Sequence, residues 1–218
     1  TVTFADGSAL SVIGAGAFPT SNTLKEINVY KDTVQQNYEI FFSSHDGALL
    51  KHDMGMVYLE VFPRGKTGEY TIPDNVDVIR DKVFRYSQIN KLIVGNKVSM
   101  IMQKAFYYCS NLSVLEFKGE GDTPLTIDPE AFYRTTNLIT LRLPGRLAEI
   151  DLQMLNQFTK LTSIEVEAGG LHYGSADNMI TNGAGTAILY APIFISGDFE
   201  IPQGIREIGP MAFADRPN

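Results

Sequence analysis

Apolar residues recur along the chain in a fixed pattern that indicates a repeat. An isoleucine is followed five positions later by a phenylalanine with alanine directly before it, at residues 13–18, 101–106, 127–132 and 208–213. Looser copies occupy residues 79–84 and 150–155. An apolar triplet of the form L-x-x-L-x-L follows five of the copies, as in Leu112-Leu115-Phe117. From Phe84 to Leu155 the copies are 22 to 26 residues apart, a spacing typical of a solenoid.

The spacing within one copy predicts the elements of a coil. The L-x-L alternation is typical of a short strand with one buried face, so we expect parallel strands at residues 92–94, 115–117, 141–143 and 164–166. The isoleucine-to-phenylalanine segment predicts a one-turn helix that directs its large ring inward. A coil of this length cannot bury its apolar side alone, whereas stacked coils share a core. We therefore expect one continuous core that contains Phe18, Phe84, Phe106, Phe132 and Phe213.

Two longer units interrupt the plain coils, at about residues 38–73 and 172–202. Each contains two apolar runs around a glycine-containing turn, at residues 53–55 and 182–185, which is typical of a β-hairpin. We predict a single β-rich solenoid over residues 1–218 with parallel short strands, one-turn helices and two inserted β-hairpins. The last copy ends after Phe213 without its strand, so we expect the chain to be a fragment of a longer array.

Two segments resemble BspA-type leucine-rich repeats. They are Tyr-Thr-Ile-Pro-Asp-x-Val-x-x-Ile-x-x-x-x-Phe at 70–84 and Ala-Phe-Tyr-Tyr-Cys-Ser-Asn-Leu-x-x-Leu-x-Phe at 105–117. The resemblance covers nearly the whole chain and implies a leucine-rich-repeat solenoid. Proteins of the family that the chain resembles are secreted or surface-attached in host-associated bacteria and some protists, and several are linked to adhesion. Departures are Met154-Leu155 in place of Ala-Phe and Pro124 at an apolar position, where we expect looser coils.

Composition narrows the function classes. The chain has 18 basic and 25 acidic residues and a formal charge of -7, without a Lys/Arg run, which disfavours nucleic acid and anionic membranes as partners. Its apolar runs are only a few residues long, so we expect no membrane insertion by this segment. One cysteine and three histidines leave little for metal or acid–base chemistry.

Two groups of residues could have either a chemical role, in metal binding or nucleophilic catalysis, or a purely structural one. The pairs His45-Asp46 and His52-Asp53 are ligand types that bind metals, but Asp46 and Asp53 also fit glycine-containing turns, and the second hairpin unit lacks both histidines. Cys109 is a potential nucleophile without a histidine in register, and the resemblance implies a residue packed between coils. The structural interpretation is favoured for both groups, so we predict no catalytic residue, no metal site and no cofactor.

One set of positions differs from an ordinary surface. The two residues after the large turn residue are Arg85-Tyr86, Tyr107-Tyr108 and Tyr133-Arg134 in three successive coils. The register stacks them as a column about 10 Å long on one rim of the solenoid. Tyrosine and arginine are enriched in binding hot spots, which makes these six residues the candidate binding site. The alternative is that the rings cover the turn below and shield the core. Outward strand positions are mixed: Ile93, Glu116, Arg142 and Glu165.

These patterns and the resemblance together predict a non-enzymatic extracellular recognition module of a bacterial surface or secreted protein, which binds protein in adhesion. The expected location is extracellular or at the cell surface, with signal and anchor outside this chain. The expected partner is a surface or matrix protein of a host or neighbouring cell, or else a glycan. The alternative is a carbohydrate-binding or purely structural spacer segment of a larger surface protein.

Overall fold

The repeats form a β-solenoid of about eight turns, seen in a computed structural model that describes residues 1–5, 10, 12–13, 17–18, 22–30, 40–119, 121–193 and 198–214. The strands are, in chain order, β1 (Val2–Phe4), β2 (Ile27–Val29), β3 (Ile40–His45), β4 (Ala48–Asp53), β5 (Met56–Val61), β6 (Thr67–Thr71), β7 (Val78–Ile79), β8 (Gln88–Val94), β9 (Met100–Ile101), β10 (Val114–Phe117), β11 (Leu125–Ile127), β12 (Thr140–Leu143), β13 (Leu147–Glu149), β14 (Ser163–Val166), β15 (Tyr173–Ala176), β16 (Met179–Asn182), β17 (Ala187–Tyr190) and β18 (Glu207–Ile208). No helix in the described part of the chain is long and apolar enough to cross a membrane.

The four predicted strands and β6 form one parallel sheet, in the order β14-β12-β10-β8-β6. The register aligns the same leucine-type position of successive coils, because Leu115 lies opposite both Leu92 and Leu141. These side chains are buried, and the residues between them point outward. The strands expected at residues 92–94, 115–117, 141–143 and 164–166 are therefore confirmed.

A second sheet, in the order β13-β11-β9-β7-β5-β4-β3, was not expected from the sequence. Its strands β7, β9, β11 and β13 are only two or three residues long and pair in parallel from coil to coil, as in Ile79 opposite Ile101. Each plain coil therefore crosses two sheets. Strands this short show too little alternation to be recognised in the sequence.

The expected one-turn helices are hydrogen-bonded turns in the coils of Phe84, Phe106 and Phe132. In the first of them, Ser87 N–H donates to the Phe84 carbonyl oxygen at 2.8 Å. The 3₁₀ helix Leu152–Gln157 occurs where Met154-Leu155 replaces the usual pair, and the side chain of Asp151 caps it by accepting from Gln153 N–H. This coil is not loosened, since Met154 and Leu155 are buried.

Both inserted units are three-stranded antiparallel meanders rather than two-stranded hairpins. Strands β3, β4 and β5 form the first meander, and β15, β16 and β17 form the second. The sequence prediction placed the second turn of each unit and recognised Asp46-Gly47 as a turn, but it assigned no strand before the first turn. The first turns, Asp46-Gly47 and Asp177-Asn178, have positive φ angles, which aspartate, asparagine and glycine adopt more readily than other residues.

The buried apolar residues that the structure describes form three clusters, so the expected single core is wrong at its two ends. Phe84, Phe106 and Phe132 lie in the central cluster. Phe18 packs against a cluster beside the first meander, and Phe213 against one beside the second meander. A meander between the plain coils interrupts the stacking of equivalent rings, which explains the division.

A phenylalanine stack runs through the central cluster. The ring of Phe106 lies parallel to those of Phe84 and Phe132, with centroid distances of 5.2 and 4.7 Å. Phe62 extends the stack at one end at 4.7 Å from Phe84, and Phe158 at the other at 5.4 Å from Phe132. The stack therefore joins the coils from the first meander to the 3₁₀ helix.

Replacement of Phe106 by alanine is expected to lower the free energy of unfolding by about 3–5 kcal/mol, because the ring is fully buried between two others. Urea denaturation measures the loss. Phe199→Ala is the matched control, since its ring is 43% exposed, and we expect it to lose less than half as much. Equal losses for the two variants would show that the phenylalanine stack is not the centre of the core.

Candidate functional site

The six candidate residues occupy the same two turn positions in three consecutive coils. The turn folds because the first residue after each phenylalanine donates its N–H within its own coil, as Tyr107 does to Lys104 O at 2.9 Å. The second residue donates to the next coil instead: Tyr86 N–H bonds to Tyr107 O at 3.0 Å, and Tyr108 N–H to Tyr133 O at 3.3 Å. Main-chain hydrogen bonds therefore fix the register of the side chains.

The second residue of each turn has a left-handed backbone conformation. The φ angles are 59° at Tyr86, 55° at Tyr108 and 63° at Arg134. This conformation is unfavourable for a bulky residue, and glycine or asparagine would adopt it at lower cost. Three successive coils thus keep large side chains where the backbone favours small ones.

The first turn positions form a column of Arg85, Tyr107 and Tyr133. The Arg85 guanidinium lies over the Tyr107 ring, with its Cζ 5.4 Å from the centroid. Tyr107 in turn stacks on Tyr133 at a centroid distance of 5.9 Å and an interplanar angle of 19°. The side chains predicted to stack in a column are therefore in contact from coil to coil.

The second positions form a parallel column in which the arginine is at the opposite end. Tyr86 stacks on Tyr108 at a centroid distance of 5.4 Å, and Arg134 lies over the Tyr108 ring at 5.3 Å. Arg134 Nη1 also donates a hydrogen bond to the Tyr108 hydroxyl. Hydrogen bonds to Tyr133 and Tyr108 raise the pKa of Arg134, so its charge is firmly held.

Contacts within each coil join the columns into one Tyr/Arg array, defined as Arg85, Tyr86, Tyr107, Tyr108, Tyr133 and Arg134. Arg85 lies 4.9 Å from the Tyr86 centroid. The rings of Tyr107 and Tyr108 meet edge to face at 4.7 Å. The structure thus brings together all six residues that the sequence singled out, on a partly exposed surface.

Sequence reasoning missed two cations that adjoin the Tyr/Arg array. Arg64 lies 5.1 Å from the Tyr86 centroid, and Lys104 Nζ lies 5.7 Å from that of Tyr133. Arg64 comes from the first meander unit, outside the register of the plain coils, so the repeat pattern gave no signal for it. Lys104 directly precedes the Ala-Phe pair and could have been found by extending the register one position.

A second ordered surface crosses the outward face of the five-stranded sheet. Lys91 lies 3.7 Å from Glu69 and 3.1 Å from Glu116, and Arg142 lies 3.0 Å from Glu116 and 3.4 Å from Glu165. This charge ladder alternates in sign across all five strands. Its charges are paired with one another, which makes it a weaker candidate for binding than the array.

The structure separates the residues that had suggested a metal site. His45 and Asp46 lie at one end of the β3–β4 hairpin, whereas His52 pairs with Phe41 at the other end. His52 Nε2 is 2.7 Å from Ser43 Oγ, and Asp53 forms an ion pair with Lys51 at 2.6 Å. Among the residues that the structure describes, no three His, Cys, Asp or Glu side chains come together to hold a metal ion.

Cys109 is buried in a column of small polar residues behind the phenylalanine stack. Its Sγ lies 2.9 Å from the Phe84 carbonyl oxygen, to which the thiol donates. The Thr135 hydroxyl makes the equivalent bond to the Phe106 carbonyl oxygen one coil later. Burial raises the pKa of Cys109 from its usual 9.0 to about 12, which favours the unreactive thiol. Cys109 therefore ties adjacent coils together.

A crevice of about 480 Å³ lies where the parallel coils meet the second meander. Arg146, Glu167 and the exposed Leu171 line it. Arg146 Nη1 donates to the carbonyl oxygens of Val98 and Thr123, at 2.7 and 2.8 Å. These bonds use Arg146 to connect neighbouring coils. The crevice therefore offers a ligand fewer unused hydrogen-bond donors than the Tyr/Arg array.

Comparison with known proteins adds the family. A model of the BspA-type leucine-rich repeat region matches residues 56–174 with six copies, which is more than half of the chain. The chain belongs to the BspA-type leucine-rich repeat family. The matched residues contain the whole Tyr/Arg array, so the array lies on BspA-type repeats. Such solenoids are typically scaffolds for binding, with variable side chains on a regular frame.

Several solved structures have a similar fold. A leucine-rich repeat protein from Bacteroides capillosus is 20% identical, with a TM-score of 0.49 over 58% of this chain and 98% of that one. A leucine-rich repeat protein from Eubacterium ventriosum is 16% identical, with a TM-score of 0.47 over 76% of this chain and 54% of that one. The pneumococcal vaccine antigen PcpA is 17% identical, with a TM-score of 0.44 over 83% of this chain and 61% of that one. No curated protein matches the chain in sequence.

The raised pKa of Cys109 predicts a pH dependence of stability. Above pH 9 the unfolded thiol ionises while the folded one stays protonated until about pH 12, so the free energy of unfolding falls as pH rises. Cys109→Ser keeps a donor for the Phe84 carbonyl and lacks this titration. We expect the wild-type stability to fall relative to the variant by up to about 1.4 kcal/mol per pH unit above pH 9. If the free energies of unfolding of the wild type and Cys109→Ser change equally from pH 8 to pH 10.5 in urea denaturation, the pKa shift is contradicted.

Chelation is expected to leave the melting temperature unchanged, because the candidate ligands lie apart and contact other side chains. Differential scanning fluorimetry with and without EDTA measures this, and a His45→Ala/His52→Ala double variant is the control. A decrease of several degrees with EDTA in the wild type alone would restore the metal interpretation.

Proposed function

We propose that the chain is a non-enzymatic recognition module that binds a partner protein in adhesion through the Tyr/Arg array. Membership of the BspA-type family supports an extracellular or cell-surface location on a bacterial surface or secreted protein. The partner in this proposal is a surface or matrix protein of a host or neighbouring cell. The observation that carries the proposal is the assembly of four tyrosines and two arginines on one rim, residue types that dominate binding hot spots.

The backbone of the array favours a binding role over a merely protective one. A turn that only had to close over the core would be more stable with glycine or asparagine at the left-handed positions. Tyr86, Tyr108 and Arg134 occupy these positions instead. Strained residues are concentrated at functional sites. Lys82 and Lys104 have the same left-handed conformation two residues before the turn phenylalanine, so strain supports a binding role here only together with the tyrosine and arginine side chains.

The class of the partner can be tested with protein and glycan arrays probed by the purified chain. Protein hits support the proposal. Glycan hits without protein hits would favour carbohydrate binding, and no hit on either array would favour a structural spacer. Each of these two outcomes contradicts protein binding.

The site is tested by Tyr108→Asn, since asparagine tolerates the positive φ angle and keeps the turn. We expect affinity for a protein hit to fall at least tenfold, because Tyr108 is central in the array. Relief of backbone strain offsets part of the lost ring contacts, so the free energy of unfolding should change by only about 1 kcal/mol. Biolayer interferometry and urea denaturation measure the two effects.

Tyr58→Ala is the matched control for this experiment. Tyr58 also has an arginine over its ring, with Arg80 Cζ at 5.6 Å from the centroid, but it lies on β5 outside the array. We expect unchanged affinity in this variant. Full affinity in Tyr108→Asn, or an equal loss in Tyr58→Ala, would place the binding site elsewhere.

A further inference from the structure

Three arginines at the Tyr/Arg array lack negative partners, whereas Lys104 is paired with Glu130 at 3.2 Å. Most lysines of this acidic chain, and two of its arginines, form ion pairs with described carboxylates. Arg64, Arg85 and Arg134 do not: within the described ranges, no carboxylate lies within 4.0 Å of their nitrogens. They contact aromatic rings instead. Three guanidinium groups on one rim therefore remain available to an anion.

Two of these guanidinium groups are held close together. Arg64 and Arg85 both lie over the Tyr86 ring, with their Cζ atoms 5.1 and 4.9 Å from its centroid. Burial, and then the positive charge of Arg85, lower the pKa of Arg64. Arg85 Nε is buried and has no hydrogen-bond partner in the described part of the molecule. A carboxylate at this point would neutralise these like charges by accepting from the outer guanidinium nitrogens, since Arg85 Nε itself is buried.

The tyrosine faces are already occupied within the protein. Each of the four rings has a cation over it and a second ring stacked against it: Tyr86, Tyr107, Tyr108 and Tyr133. A sugar recognised by stacking needs an open aromatic face. A ligand recognised by guanidinium donors needs only acceptor oxygens at the rim, and arginine binds carboxylates with paired hydrogen bonds. The geometry thus favours an acidic protein segment over a glycan.

We propose that the Tyr/Arg array binds an acidic segment of the partner protein, with Arg64 and Arg85 holding one carboxylate above Tyr86 and Arg134 holding a second. Arg85 and Arg134 belong to coils two repeats apart, which places the two carboxylates about 10 Å apart. A segment in the polyproline II conformation, with three residues per turn and a rise of about 3.1 Å per residue, spans that distance between acidic residues three positions apart and directs both to one side. This inference rests on the proposed function and adds the chemistry of the partner.

The direct test uses the peptide Gly-Glu-Ser-Ser-Glu-Gly and its glutamine counterpart as probes. ¹H–¹⁵N spectra of the full chain should show shifts of the Arg64, Arg85 and Arg134 Nε–Hε signals with the glutamate peptide only. Arg64→Gln and Arg85→Gln should each weaken its binding at least fivefold. Arg206→Gln removes an exposed arginine far along the chain and should have no effect. Equal responses to both peptides, or equal binding by all variants, would overturn the inference.

A heparin tetrasaccharide distinguishes the source of the negative charge. Arginine-dependent binding of heparin without binding of the glutamate peptide would assign the array to a sulfated glycan and overturn the inference. Proteins found to bind in the protein-array screen distinguish a failure of the acidic-segment inference from a failure of the proposed function. If Arg64→Gln and Arg85→Gln bind such a hit like the wild type while Tyr108→Asn does not, the acidic segment is wrong and the proposed function stands. If Tyr108→Asn also binds normally, both are wrong.

Discussion

The register between adjacent coils is the constraint on which the rest of the structure depends. A single coil has neither a complete set of hydrogen bonds nor a closed core, because its strand N–H and C=O groups and its phenylalanine ring all need the neighbouring coil. The parallel rings of Phe84, Phe106 and Phe132 fix the coils from inside, and the aligned leucine positions fix them from the sheet. A slip by one residue would turn every strand side chain to the opposite face.

The same register arranges surface residues of successive coils in ordered rows. The two rows, the charge ladder and the Tyr/Arg array, differ in how many of their charges are neutralised within the protein. In the charge ladder, Glu116 neutralises both Lys91 and Arg142, so a ligand would have to displace existing ion pairs. In the Tyr/Arg array, Arg85 and Arg134 rest on tyrosine rings and form no ion pair with a described carboxylate. A partner therefore gains more from the rim than from the face of the sheet.

Residues that repeat in register were predictable from the sequence, and residues outside the register were not. The strand at 115–117 and the neighbours of Tyr107 followed from counting positions in each copy. The first strand of each meander, the short second sheet and the contact of Arg64 with Tyr86 depend on how unlike segments pack, for which spacing gives no signal. The separate position of Phe213 has the same cause, because a meander interrupts the stack of equal coils.

The strain in the turns and the rigidity of the array have one explanation if the rim binds a partner. Tyr86 and Tyr108 are held by main-chain bonds to the next coil and by ring contacts on both sides, so they lose little conformational freedom on binding. Immobilising a free side chain at an interface costs about 0.5–1.5 kcal/mol. In the rigid solenoid these side chains already lose their conformational freedom on folding, so binding does not incur this cost again. The left-handed conformations cost stability that the central core can supply. A spacer would gain nothing from this loss of stability, because asparagine or glycine at the left-handed positions would give it stable turns at lower cost.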